Sequence, residues 1–360
     1  MKIAIFGAGQ LAMMMIDASK DLGHEFIVID PSSRPPASKL SKHYMVEYND
    51  EDILKFVASE CDVATIDFEN VDICSLEYLE NHIKVSPPSN ALKICQDRLY
   101  EKRLFAELGI NVTDYHPVGD LMDIENLVCE DKSNYILKSR RFGYDGKNQL
   151  KCDEEKELLN NLLLNNDCII EKIVDFTTEV SLICVRQDED TIFFYPLVEN
   201  FHRDGILRYS TFPYLNTSLQ NLAEEYATSL LKHFNYVGVL VIEFFVSKDG
   251  SLIANEMAPR VHNSGHWSIE GCSMSQFESH IRSITGQLTT FADDFKPCLM
   301  INVLSKYPNR EKMSELGEYY MHSYGKEERD LRKLGHITKV ADHKQELLKD
   351  LERYLDILDN

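Results

Sequence analysis

Short apolar runs alternate with amphipathic segments through the first ninety residues. Residues 2–6 (KIAIF), 26–29 and 63–67 (VATID) read as buried strands, and residues 11–22 and 50–59 read as helices. This βαβ alternation predicts an open α/β sheet with ligands at the C-terminal ends of its strands. Gly7-Ala8-Gly9-Gln10-Leu11-Ala12, Asp30 and Glu69-Asn70 stand at those ends. The glycine turn suits a phosphate at a helix N-terminus or a plain tight turn. Ala12 replaces the third glycine of a dinucleotide fingerprint, so we expect a ligand-facing loop without a nicotinamide cofactor. Glu69 and Asn70 are candidate contacts or helix caps. The breaker cluster at residues 86–90 (SPPSN) marks the first boundary.

The middle of the chain changes rhythm. Residues 91–108 read as one charge-rich helix, on which Arg98, Lys102 and Arg103 read as a solvated face. Residues 135–138 form a strand ending in Lys138, followed by SRRFGYDGKNQ at 139–149. Glycines, cations and an aspartate directly after a strand suggest a phosphate-covering loop, or alternatively a hairpin loop; no GxxxxGK[ST] is present. A helix over 154–164 and a strand over 168–170 lead to Glu171-Lys172-Ile173-Val174, an apolar edge suited to holding a purine by backbone hydrogen bonds. Strands are expected over 178–185 and 191–197, then a polar loop over 199–205 and a helix over 219–234. His202 in that loop is either a ligand contact or an ordinary loop histidine.

Two apolar runs then flank Lys248-Asp249-Gly250-Ser251, a tight-hairpin signal. With Asp249 and Gly250 as the loop residues, Phe245 faces Ala254 and Glu243 faces Glu256. Two carboxylates opposed on one sheet face lie about 5 Å apart at Cβ and repel unless a cation lies between them. Magnesium suits such a pair together with phosphate oxygens; a one-residue bulge would instead separate the two side chains. Downstream, Arg260-Val261-His262-Asn263-Ser264-Gly265-His266-Trp267 forms a polar cluster with the only tryptophan. A helix over 274–284, a strand over 298–304, a basic segment at 324–336 and an amphipathic helix over 345–358 complete the chain.

Composition narrows the field. The 360 residues suggest two or three domains. The net charge of -21 argues against broad nucleic-acid or acidic-membrane binding, so anionic small ligands need local basic clusters. No apolar run approaches the ~20 residues that span a bilayer, and residues 2–6 read as a strand rather than a signal peptide. Nine scattered cysteines without a CxxC pair fit a reducing cytoplasm better than a zinc site or a disulfide framework.

The ordered motifs GAGQL, DFENV, QDR–EK, LKSRRFGYDGKNQ, YPLVENFHRDGI, VGVLVIEFF, NEMAPRVHNSGHW and YGK–RKLGH resemble the N5-carboxyaminoimidazole ribonucleotide synthase family to about Gly335. The resemblance implies an ATP-grasp fold of α/β and α+β character. Its expected parts are an open α/β domain over 1–90, a linker helix and small lid over 91–172, and a C-terminal nucleotide and substrate domain over 173–360. It implies a cytoplasmic homodimer that uses ATP, bicarbonate and Mg2+ (or Mn2+) to carboxylate 5-aminoimidazole ribonucleotide through carboxyphosphate.

The residue roles carry over by motif. Arg98, Lys138 and the lid residues Gly143, Tyr144, Asp145, Gly146, Lys147, Asn148 and Gln149 match nucleotide-phosphate positions. Glu171, Lys172, Ile173 and Val174 match the adenine hinge, Glu179 the ribose acid, and His202 and Asn255 further nucleotide contacts. Glu243 and Glu256 match the magnesium ligands. Gln10, Leu11, Glu69, Tyr144, Asp145, Arg260, His262, Asn263, Lys326 and Arg332 match positions around the ribonucleotide, with Lys326 and Arg332 on its 5′-phosphate. Arg260 suits bicarbonate, and Asp145 or His262 the amine proton. Phe142 and Asn148 replace common lid glycines, and Ala12-Met13 a common Gly-Arg. A different ATP-grasp ligase and a nucleotide-binding regulator without turnover are the alternatives.

Overall fold

The computed structural model describes residues 1–128, 131–143, 148–291, 293–349 and 351–359. Strands β1 (Lys2–Phe6), β2 (Glu25–Ile29), β3 (Lys42–Tyr44), β4 (Val63–Ile66) and β5 (Lys84–Val85) form a parallel sheet in the order β3-β2-β1-β4-β5. Ile3, Ala4, Ile5 and Phe6 are all fully buried, as expected of a parallel strand covered on both faces.

The glycine turn after β1 departs from expectation. Its donors are filled from within the protein: Asp67 accepts from the N–H groups of Gly9 (2.6 Å) and Ala12 (3.2 Å), and Asp30 from that of Ala8 (3.1 Å). An internal carboxylate thus occupies the anion position at the start of helix α1 (Gln10–Ala18). Gly7 turns the chain at φ +99°, and a Cβ there would lie 1.7 Å from Asp67 Oδ1. The turn is a cradle for Asp67, and only Gln10 of GAGQL lines a cavity.

Helices α2 (Glu51–Glu60) and α3 (Ile73–Glu80) cover this sheet, and the expected helix over 91–108 is broken in two. Helix α4 (Ser89–Cys95) ends before Asp97, whose carboxylate caps α5 (Arg98–Glu107) through Leu99 N–H (3.0 Å) and pairs with Arg140 (2.7 Å). A four-stranded sheet follows in the order β6-β9-β7-β8, from β6 (Tyr115–Val118), β7 (Tyr135–Ser139), β8 (Gln149–Lys151) and β9 (Cys168–Lys172). Helices α6 (Leu121–Leu127) and α7 (Lys156–Asn165) bury Ile124, Leu159 and Leu163 on one of its faces.

The largest sheet holds β10 (Phe176–Arg186), β11 (Ile192–Phe194), β12 (Val198–Arg203), β13 (Ile206–Phe212), β14 (Gly238–Ser247), β15 (Leu252–Ala258), β16 (Cys298–Leu304), β17 (Tyr320–Ser323) and β18 (Lys333–Val340). Its order is β15-β14-β10-β12-β13-β16-β18-β17, with β11 paired to the end of β10. Alternation along β10 separates two cores. Val180, Leu182 and Cys184 pack with Phe105 and with Leu230 of α8 (Thr217–His233), whereas Ile183 and Val185 pack with Ile3, Ile5 and Trp267. Trp267 is fully buried, its ring stacked on Phe212 at 3.5 Å, so it belongs to the core and not to the polar cluster beside it.

Two local readings change here. The expected polar loop at 199–205 is strand β12, turned into β13 by Asp204 and Gly205, both at positive φ as a two-residue hairpin turn requires. The hairpin β14–β15 does pair Glu243 with Glu256, but Phe245 pairs with Ile253 and not Ala254. Its loop has three residues, Lys248-Asp249-Gly250, which shifts the register by one. A bulge at Asn255 shifts it back.

Among the described residues no helix is long and apolar enough to cross a membrane.

Gly7→Ala should destabilise the protein by more than the ~1–2 kcal/mol that left-handed backbone alone costs an alanine. Gly250→Ala, at φ +85° with nothing within 4 Å of its Cβ, supplies that reference. Urea unfolding of both variants compares them; equal losses would show that the Asp67 approach contributes nothing.

Candidate active site

Two adjoining cavities lie above the large sheet. The first, about 420 Å³, opens between the β6–β9 sheet and β10–β15. Ile136, Ile173, Leu207 and the stacked pair Phe176–Phe245 (4.8 Å) supply apolar walls. At the hinge, Lys172 N–H donates to Asp114 O (2.9 Å) and Ile173 N–H to Asn134 O (2.7 Å). Among the described residues the Val174 N–H has no partner, which leaves one donor at an apolar edge, the pattern a planar heterocycle needs.

Charged side chains line the inner wall. Lys138 on β7 reaches Glu171 on β9 at 2.9 Å. Burial would raise Glu171, but Lys102, Lys138 and Arg98 overcome it and hold the carboxyl at about 2. Burial lowers Lys138, helped by Arg98 and Lys102 and opposed by Glu171. His202 Nδ1 lies 2.8 Å from Glu179 across β12 and β10; burial disfavours its cation, yet Glu179 and Glu243 raise its pKa. Among the described residues the buried oxygens Glu171 Oε1, Glu243 Oε1 and Asn255 Oδ1 have no hydrogen-bond partner, and all three residues line this cavity. Unsatisfied acceptors converging on one space fit a cation or a donor-rich ligand.

The second cavity, about 1100 Å³, runs from the C-terminal ends of β1 and β4 to the basic segment before β18. It meets the first along Arg98, Glu243, Glu256, His262, Asn263 and Lys333, which line both. At this junction Arg98 Nη1 donates to Glu256 Oε2 (2.9 Å) and Nη2 to the Gly143 carbonyl (3.2 Å). Burial opposes ionisation of Glu256, but Arg98, Lys138 and Lys102 hold its pKa below the usual carboxylate value. Glu243 behaves oppositely: burial, with Glu256 and Glu179, pushes it up to about 7 against His202. The hairpin thus presents one firmly ionised and one proton-prone carboxylate. Oxygen donors of this kind, with the orphaned Asn255 Oδ1 beside them, fit a hard divalent cation.

Farther into the second cavity, Arg260 pairs with Glu69 (2.9 Å) and also donates to Val261 O (2.9 Å). His262 Nδ1 accepts from Ser264 N–H (3.3 Å), which leaves the ring proton on Nε2; burial and Arg260 keep the ring neutral. Asn263 and Asn302 exchange side-chain hydrogen bonds (3.0 and 2.7 Å). At the far end Lys326 donates to Gln10 Oε1 (2.6 Å), with Arg332 lining the same wall. Burial, then Arg332, lowers Lys326 to about 8.

Most sequence candidates therefore meet at one composite site. Tyr144, Asp145, Gly146 and Lys147 lie outside the described residues. Asn148 accepts Ser139 N–H through its carbonyl (2.9 Å), and Gln149 lines the first cavity. Leu11 does not reach the site, because its side chain packs in the core with Met15 and Ile16. Sequence reasoning assigned no site role to Ser32, Ile136, Phe176, Leu207 or Phe245, and it took Lys333 only as part of the basic segment. It also placed Lys102 on a solvated face, whereas Lys102 is 1% exposed; its i, i+4 spacing from Arg98 was the available signal.

Comparisons with known proteins show the family. The chain matches a ribonucleotide synthetase preATP-grasp domain over residues 1–96, an ATP-grasp domain over 103–277 and a phosphoribosylaminoimidazole carboxylase C-terminal domain over 298–350. It is 38% identical to the N5-carboxyaminoimidazole ribonucleotide synthase of Pseudomonas aeruginosa over 340 residues, 94% of each chain. It superposes on the Staphylococcus aureus N5-carboxyaminoimidazole synthetase complexed with ADP at a TM-score of 0.92, with 34% identity over 98% of this chain and 96% of that one. The Aspergillus clavatus enzyme in complex with ADP and 5-aminoimidazole ribonucleotide superposes at 0.87, with 25% identity over 99% and 98%.

Proposed function

Because this chain belongs to the N5-carboxyaminoimidazole ribonucleotide synthase family of ATP-grasp ligases, we propose that its two cavities divide one reaction between nucleotide and acceptor. The reaction is the ATP-dependent carboxylation of 5-aminoimidazole ribonucleotide in purine biosynthesis. The observation that carries the division is the junction, where six side chains border both cavities and include the Glu243–Glu256 pair.

ATP occupies the first cavity. Its adenine lies between the apolar walls with N1 on the Val174 N–H, its ribose faces Glu179 and His202, and its phosphates extend toward Lys138 and Arg98. Glu243 and Glu256, with Asn255 beside them, are the residues that would hold Mg2+ or Mn2+. The metal, when bound, offsets charge on the transferring phosphoryl group. The ribonucleotide occupies the second cavity with its 5′-phosphate on Lys326 and Arg332. Glu69 orients the Arg260 fork, whose remaining N–H groups suit bicarbonate.

Chemistry then proceeds at the junction. A bicarbonate oxygen attacks the γ-phosphorus, the bond to the β-phosphate oxygen breaks, and ADP leaves. Lys138 and Arg98 neutralise oxygens of the transferring group. The acceptor amine attacks the carboxyl carbon of carboxyphosphate, or CO2 released from it, and phosphate departs. The amine loses one proton in this step. The Ser264 contact commits His262 Nδ1, so His262 acts as a donor to the carboxylate, and the proton passes to Asp145. A cytoplasmic homodimer completes the proposal. The eight described free cysteines suit a reducing compartment, and the family resemblance supports the dimer.

The direct test measures ADP release and trapping of labelled bicarbonate as the carbamate. ADP formation should require both bicarbonate and 5-aminoimidazole ribonucleotide for coupled turnover. Full turnover on another amine, without carbamate of the imidazole, would refute the reading.

Glu256→Gln should lower kcat at least ~100-fold, since it removes charge-linked stabilisation at the transferring group. A near-wild-type rate would remove Glu256 from that role.

Lys326 gives a pH signature. Its lowered pKa means that the cation is present below about 8 and lost above it, so the KM for the ribonucleotide should rise as pH climbs from 8 to about 9.5 while the KM for ATP stays level. Lys326→Arg should flatten the rise, because guanidinium does not titrate there. A flat wild-type profile would place the 5′-phosphate elsewhere.

A further inference from the structure

Lys102 sits on α5 one turn after Arg98, behind the first cavity and outside its lining. Its Nζ donates to the Asn255 carbonyl at 2.9 Å, reaches the Ala254 carbonyl at 3.4 Å, and lies 3.6 Å from Glu171 Oε2. The ammonium thus makes two hydrogen bonds to carbonyls and one ion pair to a carboxylate. Those oxygens come from two different sheets: Glu171 from β9, and Ala254 and Asn255 from the edge strand β15. Carbonyls of successive residues in a regular strand point to opposite edges. Ala254 and Asn255 both turn toward one cation at the bulge. The neighbouring Glu101 accepts Met257 N–H (2.8 Å) on the far side of that bulge.

We propose that Lys102 is a positioning residue of the nucleotide site, which joins the two walls of the cleft and holds the bulge that turns Asn255 and Glu256 into it. Without the ammonium, two edge-strand carbonyls lose a buried donor, and Glu171 Oε2 loses a second cation beside the one it keeps on Lys138. The bulge then loses the contact that favours it over regular pairing, and a regular strand would send Asn255 and Glu256 to opposite faces. Lys102 touches no reacting atom; it acts through Glu171 on the hinge side and through β15 on the metal side. The inference rests on the first cavity being the ATP site.

The experiment compares Lys102→Met with wild type by calorimetric ADP binding, with and without Mg2+, and by steady-state kinetics. ADP affinity without metal should fall ~10-fold, and the further tightening by Mg2+ should shrink, as for other residues that orient metal ligands. The KM for the ribonucleotide should stay within about twofold, and Lys102→Arg should recover part of the ADP affinity. Lys102→Met/Glu171→Gln removes both buried charges. It serves as the arbiter if the single variant does not fold, with the Mg2+-dependent tightening again reduced relative to Glu171→Gln alone. Unchanged ADP affinity and unchanged Mg2+ tightening in a folded variant would overturn the proposal. Equal shifts for ADP and ribonucleotide together with a lower unfolding midpoint would also overturn it, by marking Lys102 as structural. Failure of the wild type to bind ADP would instead refute the ATP-site reading.

Discussion

The active site depends on burying charges that neutralise one another. Arg98, Lys102 and Lys138 face Glu171 and Glu256 within a single network between α5, β7, β9 and β15, with Glu101 buried beside it. Any one of these groups alone would be expensive to remove from water. Together they place each carboxylate differently: Glu171 is held at about 2, while Glu101, buried beside the negative Glu256, rises to about 8. The network also explains how a chain of net charge -21 can accept polyanionic substrates, since its cations are gathered where phosphate must lie.

The same network shows why parts of the site were legible in the sequence and others were not. The Glu243–Glu256 pairing came from counting outward from Asp249-Gly250, and the residues do oppose each other. They do so through two departures that cancel, a three-residue loop and the bulge at Asn255. A one-dimensional pattern records neither, because both depend on what satisfies the edge of β15. Lys102 was misplaced for a related reason. A charge run on a helix is solvated unless another element brings counter-charges, and Glu171 lies sixty-nine residues away in sequence. His202 read as a loop residue because β12 is short and polar on the face that meets the cavity.

The glycine turn teaches the opposite lesson. Its composition suggested a phosphate, and the structure supplies an anion, but the anion is Asp67. The helix N-terminus satisfies the carboxylate, burial raises it to about 6, and Arg260 beyond it acts in the other direction. The N-terminal domain therefore meets the second cavity through side chains such as Gln10 and Glu69, and the backbone donors of its first turn are taken by Asp67 and Asp30.

The segment after β7 carries a backbone constraint at two positions. Phe142 has φ 58° and Asn148 φ 56°, so the two positions where the family commonly has glycine do require left-handed backbone. Asn tolerates that region, whereas for Phe it is strained by an amount on the order of 1–3 kcal/mol. Phe142 is 65% exposed and lines the second cavity. The strain is local to the Phe142 backbone, at the wall of that cavity.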